Sequence, residues 1–163
     1  LECRPEAVAN LRRAAADRGV DPARLVFAPR QPLPQHLARH RLADLCLDTA
    51  PVGAHTTASD ALWAGLPVLT LLGRSFAGRV GASLLHAVGL PELVVDTPAA
   101  YESQALRLSA DPTALAALRA RLTAARATAP LFDTDRFARG LEQAYAALWA
   151  RHAAGEAPAG RGL

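Results

Sequence analysis

Short apolar runs alternate with stretches of helical periodicity along most of this chain. Leu25-Val26-Phe27-Ala28, Leu45-Cys46-Leu47-Asp48, Pro67-Val68-Leu69-Thr70-Leu71 and Glu92 to Val95 are brief and bounded by turn residues, as buried strands are. Leu1 to Cys3 reads as the end of a further strand. Between them, helices are predicted over Glu6 to Arg18, Pro34 to Arg41, Thr57 to Ala64 and Gly78 to Val88, with Gly19, Gly65 and Gly89 as stops. The strand runs do not alternate polar and apolar positions, so both of their faces are expected to be buried. Strand and helix in alternation imply crossover connections, hence a parallel sheet between helices. Beyond Asp96 the pattern turns wholly helical. Helices are predicted over Pro98 to Ala110 and Pro112 to Ala127, each opened by proline. A longer one runs from an Asp133-Thr134-Asp135 cap to about His152, its face formed by Phe137, Leu141, Tyr145, Leu148 and Trp149.

Composition narrows the classes. The chain has 163 residues, room for one domain, and 51% are hydrophobic, enough to bury a core. It contains 38 Ala and 26 Leu but no Ile, Met or Lys, so all 18 basic residues are Arg. That bias looks like GC-rich coding and says little about function. The net charge of +3 is spread from Arg4 to Arg161 without a block of like charges, and aromatics are only 5%. Nucleic-acid binding is therefore not expected. No apolar run approaches the roughly 20 residues of a membrane span. Two cysteines, Cys3 and Cys46, are too few for a disulfide framework and fit a reducing, cytoplasmic location. Without an initiator Met, the chain reads as part of a longer polypeptide.

Ligands of parallel sheets sit beyond the carboxyl ends of the strands. That rule points to the loops after Phe27, Leu47 and Leu71. The second holds the candidate chemistry: Asp48-Thr49-Ala50-Pro51-Val52-Gly53-Ala54-His55-Thr56-Thr57-Ala58-Ser59-Asp60. Two adjacent hydroxyls precede a helix whose first N–H groups have no intrahelical partner and carry partial positive charge. Such a cup takes a phosphate without lysine. His55 adds a donor, and Asp60 is a good acceptor for sugar hydroxyls. The plainer alternative makes Thr56 or Thr57 an ordinary N-cap and His55 a loop histidine. His36, with Arg39 one turn on, lies in the short helix after the first apolar run and offers a ring to stack on a flat base. A surface histidine is the plain alternative there. No Gly-x-Gly-x-x-Gly fingerprint, carboxylate pair for hydrolysis or cluster with metal-ligand spacing is present.

The string Leu42-Ala43-Asp44-Leu45-Cys46-Leu47-Asp48-Thr49, then Gly53-Ala54-His55-Thr56-Thr57, then Asp60-Ala61-Leu62-Trp63-Ala64-Gly65-Leu66-Pro67-Val68 resembles the C-terminal catalytic lobe of the O-GlcNAc transferase family. Ser75-Phe76-Ala77-Gly78-Arg79-Val80-Gly81-Ala82-Ser83 and Pro130-Leu131-Phe132-Asp133-Thr134 continue the match, which reaches about Gly155. The resemblance implies an α/β, Rossmann-like lobe of a GT-B glycosyltransferase. Residues 1–130 are then an incomplete UDP-sugar-binding lobe. Residues 131–155 form a C-terminal helix that closes the lobe or crosses to its N-terminal counterpart, and 156–163 a flexible tail. It further implies that His36 and Arg39 meet uracil, that His55, Thr56 and Thr57 hold the diphosphate, and that Asp60 accepts from the ribose. By the same resemblance the donor is expected to be UDP-GlcNAc and the acceptor a protein Ser or Thr, reached through an N-terminal lobe and tetratricopeptide repeats. No metal or other cofactor is expected, and the isolated chain is expected to be inactive. One departure stands out: Leu33 occupies a position where the family often has Lys, with Arg30 the nearest cation. A related N-linking transferase using UDP-glucose and a non-catalytic UDP-sugar-binding module are the alternatives.

Overall fold

A computed structural model describes residues 4–157 of the chain. It divides into two compact units, one ending at His40 and one beginning at Arg41. The expected strand at Leu1 to Cys3 and the end of the tail, 158–163, lie outside the described residues.

In the first unit, α1 spans Pro5–Ala16, with proline in its first turn, where a missing N–H has no consequence. It stops at Gly19, which takes φ +73° while Val20 N–H donates to Ala15 O at 3.0 Å. This left-handed residue ends a helix cheaply only as glycine. A 3-10 turn over Pro22–Arg24 follows, capped by the Asp21 carboxylate. Helix α2 spans Leu33–Arg39. The strand expected at 25–28 does not form: no residue there pairs in a ladder among the described residues, and Val26 is 88% exposed. Apolar, β-branched residues give a run the propensity to extend, but only a neighbouring edge makes it a strand.

The second unit is a three-stranded parallel sheet flanked by helices, in the order β1 (Cys46–Leu47), β2 (Val68–Leu71), β3 (Val94–Val95). Cys46 registers with Val68 and Leu47 with Leu69; Thr70 registers with Val94 and Leu71 with Val95. The helices are α3 (Thr56–Trp63), α4 (Val80–Ala87), α5 (Pro98–Ser109), α6 (Pro112–Ala125) and α7 (Thr134–Ala153). Thr97, Asp111 and Asp133 cap the last three, each accepting from a backbone N–H three residues on. Ala58, Ala61 and Leu62 recur at i, i+3 and i+4, so α3 buries one stripe against the sheet. With Leu85, Leu93, Leu108 and Leu122 they form one core around β2. Burial on both faces holds for β2, whose Val68, Leu69 and Thr70 are at most 2% exposed. It fails for β1, where Leu47 is 55% exposed. The apolar face of α7 is exposed, Phe137 by 68% and Trp149 by 70%.

Candidate functional site

The site is built where β1 ends. Asp48 is a carboxylate at the end of an apolar strand, only 7% exposed, and every polar atom it has is engaged. Its N–H donates to Leu69 O at 3.0 Å, which extends the sheet ladder by one residue. Its carbonyl accepts from the Tyr101 hydroxyl at 2.8 Å. Oδ1 accepts from the N–H groups of Thr49 at 2.8 Å and Ala54 at 2.7 Å; Oδ2 accepts from Thr70 Oγ1 at 2.7 Å. A buried carboxylate is tolerable only when it is paired this fully. One oxygen bonded to residues one and six positions on closes the loop 49–54 into a fixed turn. Thr49 Oγ1 donating to Val52 O at 2.8 Å and a cis Ala50–Pro51 peptide complete it.

Helix α3 leaves that turn directly. His55 is its N-cap, at φ −109° and ψ −92°, and no side chain caps the helix. Thr56 and Thr57 are its first two residues and both are exposed, whereas Ala58 is buried. The cap position thus falls to His55, one residue before the threonines. Both lie in the first turn, whose leading N–H groups have no intrahelical partner. Asp60 is half-buried on the next turn.

The loop after β2 supplies the other wall. Gly53 N–H donates to Ala77 O at 2.9 Å, and the His55 Nε2 lies 3.4 Å from the same oxygen. The His55 ring meets Phe76 edge to face, with centroids 5.8 Å apart, and Phe76 itself is 80% exposed. Gly73 and Gly78 pack backbone to backbone, so that a Cβ on Gly73 would fall 2.9 Å from Gly78 Cα. Gly73 N–H donates to Gly78 O at 2.8 Å, pinching this loop shut behind Phe76. Two of the three strand-end loops singled out from the sequence therefore interlock. The third, after Phe27, does not follow a strand.

In the first unit, Arg39 donates to Pro29 O at 2.8 Å and to His36 Nδ1 at 2.9 Å. An accepting Nδ1 puts the proton of a neutral His36 ring on Nε2. His40 Nδ1 bonds His36 O at 2.8 Å, and the two rings pack edge to face at 4.8 Å. The structure thus joins His36 to Arg39 in one unit and gathers His55, Thr56, Thr57 and Asp60 at one helix end in the other. Leu33 is 61% exposed.

Sequence reasoning missed Asp48, Thr70 and Tyr101 as parts of this arrangement. The available signal was a carboxylate terminating an apolar run, which must find partners once its strand is buried. Burial, then the Asp48 charge, raises the Cys46 thiol; burial, then Asp48 and Cys46, pushes the Tyr101 phenol up to about 12. A cavity of about 450 Å³ lined by Asp44, Leu45, Leu115 and Arg119, among others, shares no residue with the loop. Among the described residues, no group of three or more His, Cys, Asp or Glu could hold a metal.

Three parallel strands with flanking helices, and ligand loops at the strand ends, are a Rossmann-like arrangement, and the likeness of this chain to a solved O-GlcNAc transferase makes it that of the C-terminal lobe of a GT-B glycosyltransferase. A mutant O-GlcNAc transferase from Thermobaculum terrenum superposes with a TM-score of 0.83 at 38% identity, over 90% of this chain and 28% of that one. The chain belongs to glycosyl transferase family 41, whose model matches residues 4–141. It is 40% identical over 146 residues to a UDP-N-acetylglucosamine–peptide N-acetylglucosaminyltransferase of Caenorhabditis elegans, over 90% of this chain and 13% of the relative. It is 40% identical over 150 residues to the probable enzyme of that name, SEC, of Arabidopsis thaliana, over 91% of this chain and 15% of the relative. It is 39% identical over 168 residues to the probable enzyme SPINDLY of Oryza sativa subsp. japonica, over 100% of this chain and 18% of the relative. The chain thus spans less than a fifth of these relatives.

Proposed function

We propose that this chain is the donor-holding half of an inverting glycosyltransferase that moves GlcNAc from UDP-GlcNAc to protein Ser or Thr hydroxyls. The observation that carries the reading is the mouth of α3: no side-chain cap, two exposed threonines, and a backbone fixed from behind. In the transfer, the bond from the anomeric carbon to the β-phosphate oxygen breaks as the acceptor oxygen attacks the opposite face. Negative charge gathers on the departing UDP. A helix N-terminus and hydroxyls already aimed at that charge stabilise the transition state without reorganising. His55, Thr56 and Thr57 are the leaving-group donors in this reading, Asp60 accepts from the ribose, and His36 with Arg39 takes the uracil. The charge is met by N–H and O–H donors, so a metal has no assigned role. The relatives' names favour GlcNAc over glucose as the sugar.

The protein acceptor engages the other lobe of such an enzyme, so the 163-residue chain binds UDP but does not turn over UDP-GlcNAc. Residues 1–130 are the UDP-sugar-binding lobe in this scheme, with the helix in 131–155 as its closing or crossing element. A cytoplasmic location accords with the free, half-buried Cys46 thiol, and among the described residues no helix is long and apolar enough to cross a membrane. A mildly basic surface without charge blocks argues against nucleic acid as a partner. The test is a calorimetric titration of UDP into the chain and into Thr56→Ala/Thr57→Ala. Hydrogen bonds to charged groups are worth about 1.5–3 kcal/mol each, so a loss of at least about ten-fold in affinity is expected. Equal affinities would remove the diphosphate assignment.

A further inference from the structure

We propose that Asp48 is the positioning residue of the donor site: its carboxylate sets the aim of the α3 mouth without itself touching the ligand. The inference rests on the donor reading above and deepens it. Oδ1 holds both ends of the loop through Thr49 N–H and Ala54 N–H, and Ala54 is followed at once by the cap His55. A shift of this oxygen is therefore transmitted to the helix start through a single residue. The carboxylate is boxed in from the other side. Oδ2 is fixed by Thr70 Oγ1 at the centre of the sheet, and two glycines leave it only as much room as it fills. A Cβ on Gly53 would stand 3.0 Å from Oδ2; one on Gly81 would stand 2.9 Å from both Oδ2 and Thr70 Oγ1. Tyr101 and Leu69 hold the Asp48 main chain. Two strands and a flanking helix, β1, β2 and α4, thus meet at one side chain whose other oxygen shapes the binding loop.

Gly81 offers a test that leaves the loop sequence alone. It lies within α4, where alanine is favoured over glycine by about 0.5–1 kcal/mol, so the helix itself does not suffer. Its new methyl must displace the Asp48 carboxylate or Thr70. UDP, inorganic pyrophosphate and uridine are titrated into wild type, Gly81→Ala, Asp48→Ala, Asp48→Asn and, as a control for lost stability alone, Leu122→Ala. Gly81→Ala and Asp48→Ala are expected to lose about ten-fold or more in affinity for UDP and pyrophosphate and clearly less for uridine, whose base is assigned to His36 and Arg39 outside α3. Asp48→Asn retains an oxygen for the two loop N–H groups and is expected to recover most of the loss. Leu122→Ala, in the core, is expected to melt earlier and bind UDP as wild type does. Wild-type affinity for pyrophosphate in both Gly81→Ala and Asp48→Ala would overturn the positioning role and leave the donor reading standing. So would an equal loss in Leu122→Ala, since the effect would then be one of stability. Absence of UDP binding by wild type would remove the donor reading and this inference with it.

Discussion

Thr70→Val isolates the bond that anchors the site to the core. Valine matches threonine in shape, suits a strand, and replaces only the hydroxyl. Thr70 is 2% exposed and its Oγ1 donates to Asp48 Oδ2 at 2.7 Å. After the change Oδ2 faces a methyl group, in a place so tight that a Cβ on Gly53 or Gly81 would fall within 3.0 Å of it. A hydrogen bond to a charged group is worth about 1.5–3 kcal/mol, and an orphaned buried acceptor costs about 1–3 kcal/mol or more when charged. These describe one lost interaction and are not summed. The apolar gain of a buried methyl offsets at most about 1 kcal/mol. A net destabilisation of about 2 kcal/mol follows, equivalent to a Tm lower by roughly 4–8 °C for a chain of this size. Urea unfolding at pH 7 measures it, combined with Asp48→Ala in a double-mutant cycle. The cycle should return a coupling of at least about 1 kcal/mol. A Thr70→Val variant within about 0.5 kcal/mol of wild type, with no coupling, would refute the claim that this pair carries the loop.

Two further outcomes follow from the same neighbourhood. Tyr101 has its phenol pushed up to about 12, above the usual 10, by burial and then by the charges of Asp48 and Cys46. The fold therefore favours the neutral hydroxyl: its contribution is whole below pH 10 and drains away as pH rises towards 12. The raised Cys46 thiol loses its share from about pH 9 upward. The absence of lysine keeps this window clear of amine titration, so urea midpoints at pH 8, 10 and 11 should fall in wild type and fall less in Tyr101→Phe. Parallel curves would contradict the assignment. Finally, UDP affinity measured with and without EDTA should agree within error; a large loss on chelation would show that the donor set at the α3 mouth is incomplete without a cation.

The helices were readable because their signals are local. Proline in the first turn, a cap at Asp133, and glycines at Gly19, Gly65 and Gly89 act within a few residues of chain, and the structure puts positive φ at all three glycines. The parallel orientation of β1, β2 and β3 also followed from run and spacing. Strand extent did not: β1 has two residues where four were expected, and 25–28 has no ladder at all. Pairing needs a partner, and a one-dimensional pattern does not say where the sheet ends. The face of α7 was likewise foreseen as apolar, but its exposure was not a property of its own sequence.

At the site, the chain itself determined which groups are available: hydroxyls at Thr56 and Thr57, an imidazole before them, a carboxylate at Asp48, and the family to which the string belongs. Those are matters of covalent order and local turn chemistry. Tertiary structure alone decided that His55, not a threonine, ends up as the N-cap, and that Asp48 turns inward to meet Thr70, 22 residues away. It also set Gly81 and Gly53 close around that carboxylate. Such contacts arise from packing a helix and two strands together. Steric room and the need to satisfy a buried charge act through space, between residues whose spacing along the chain carries no trace of their meeting.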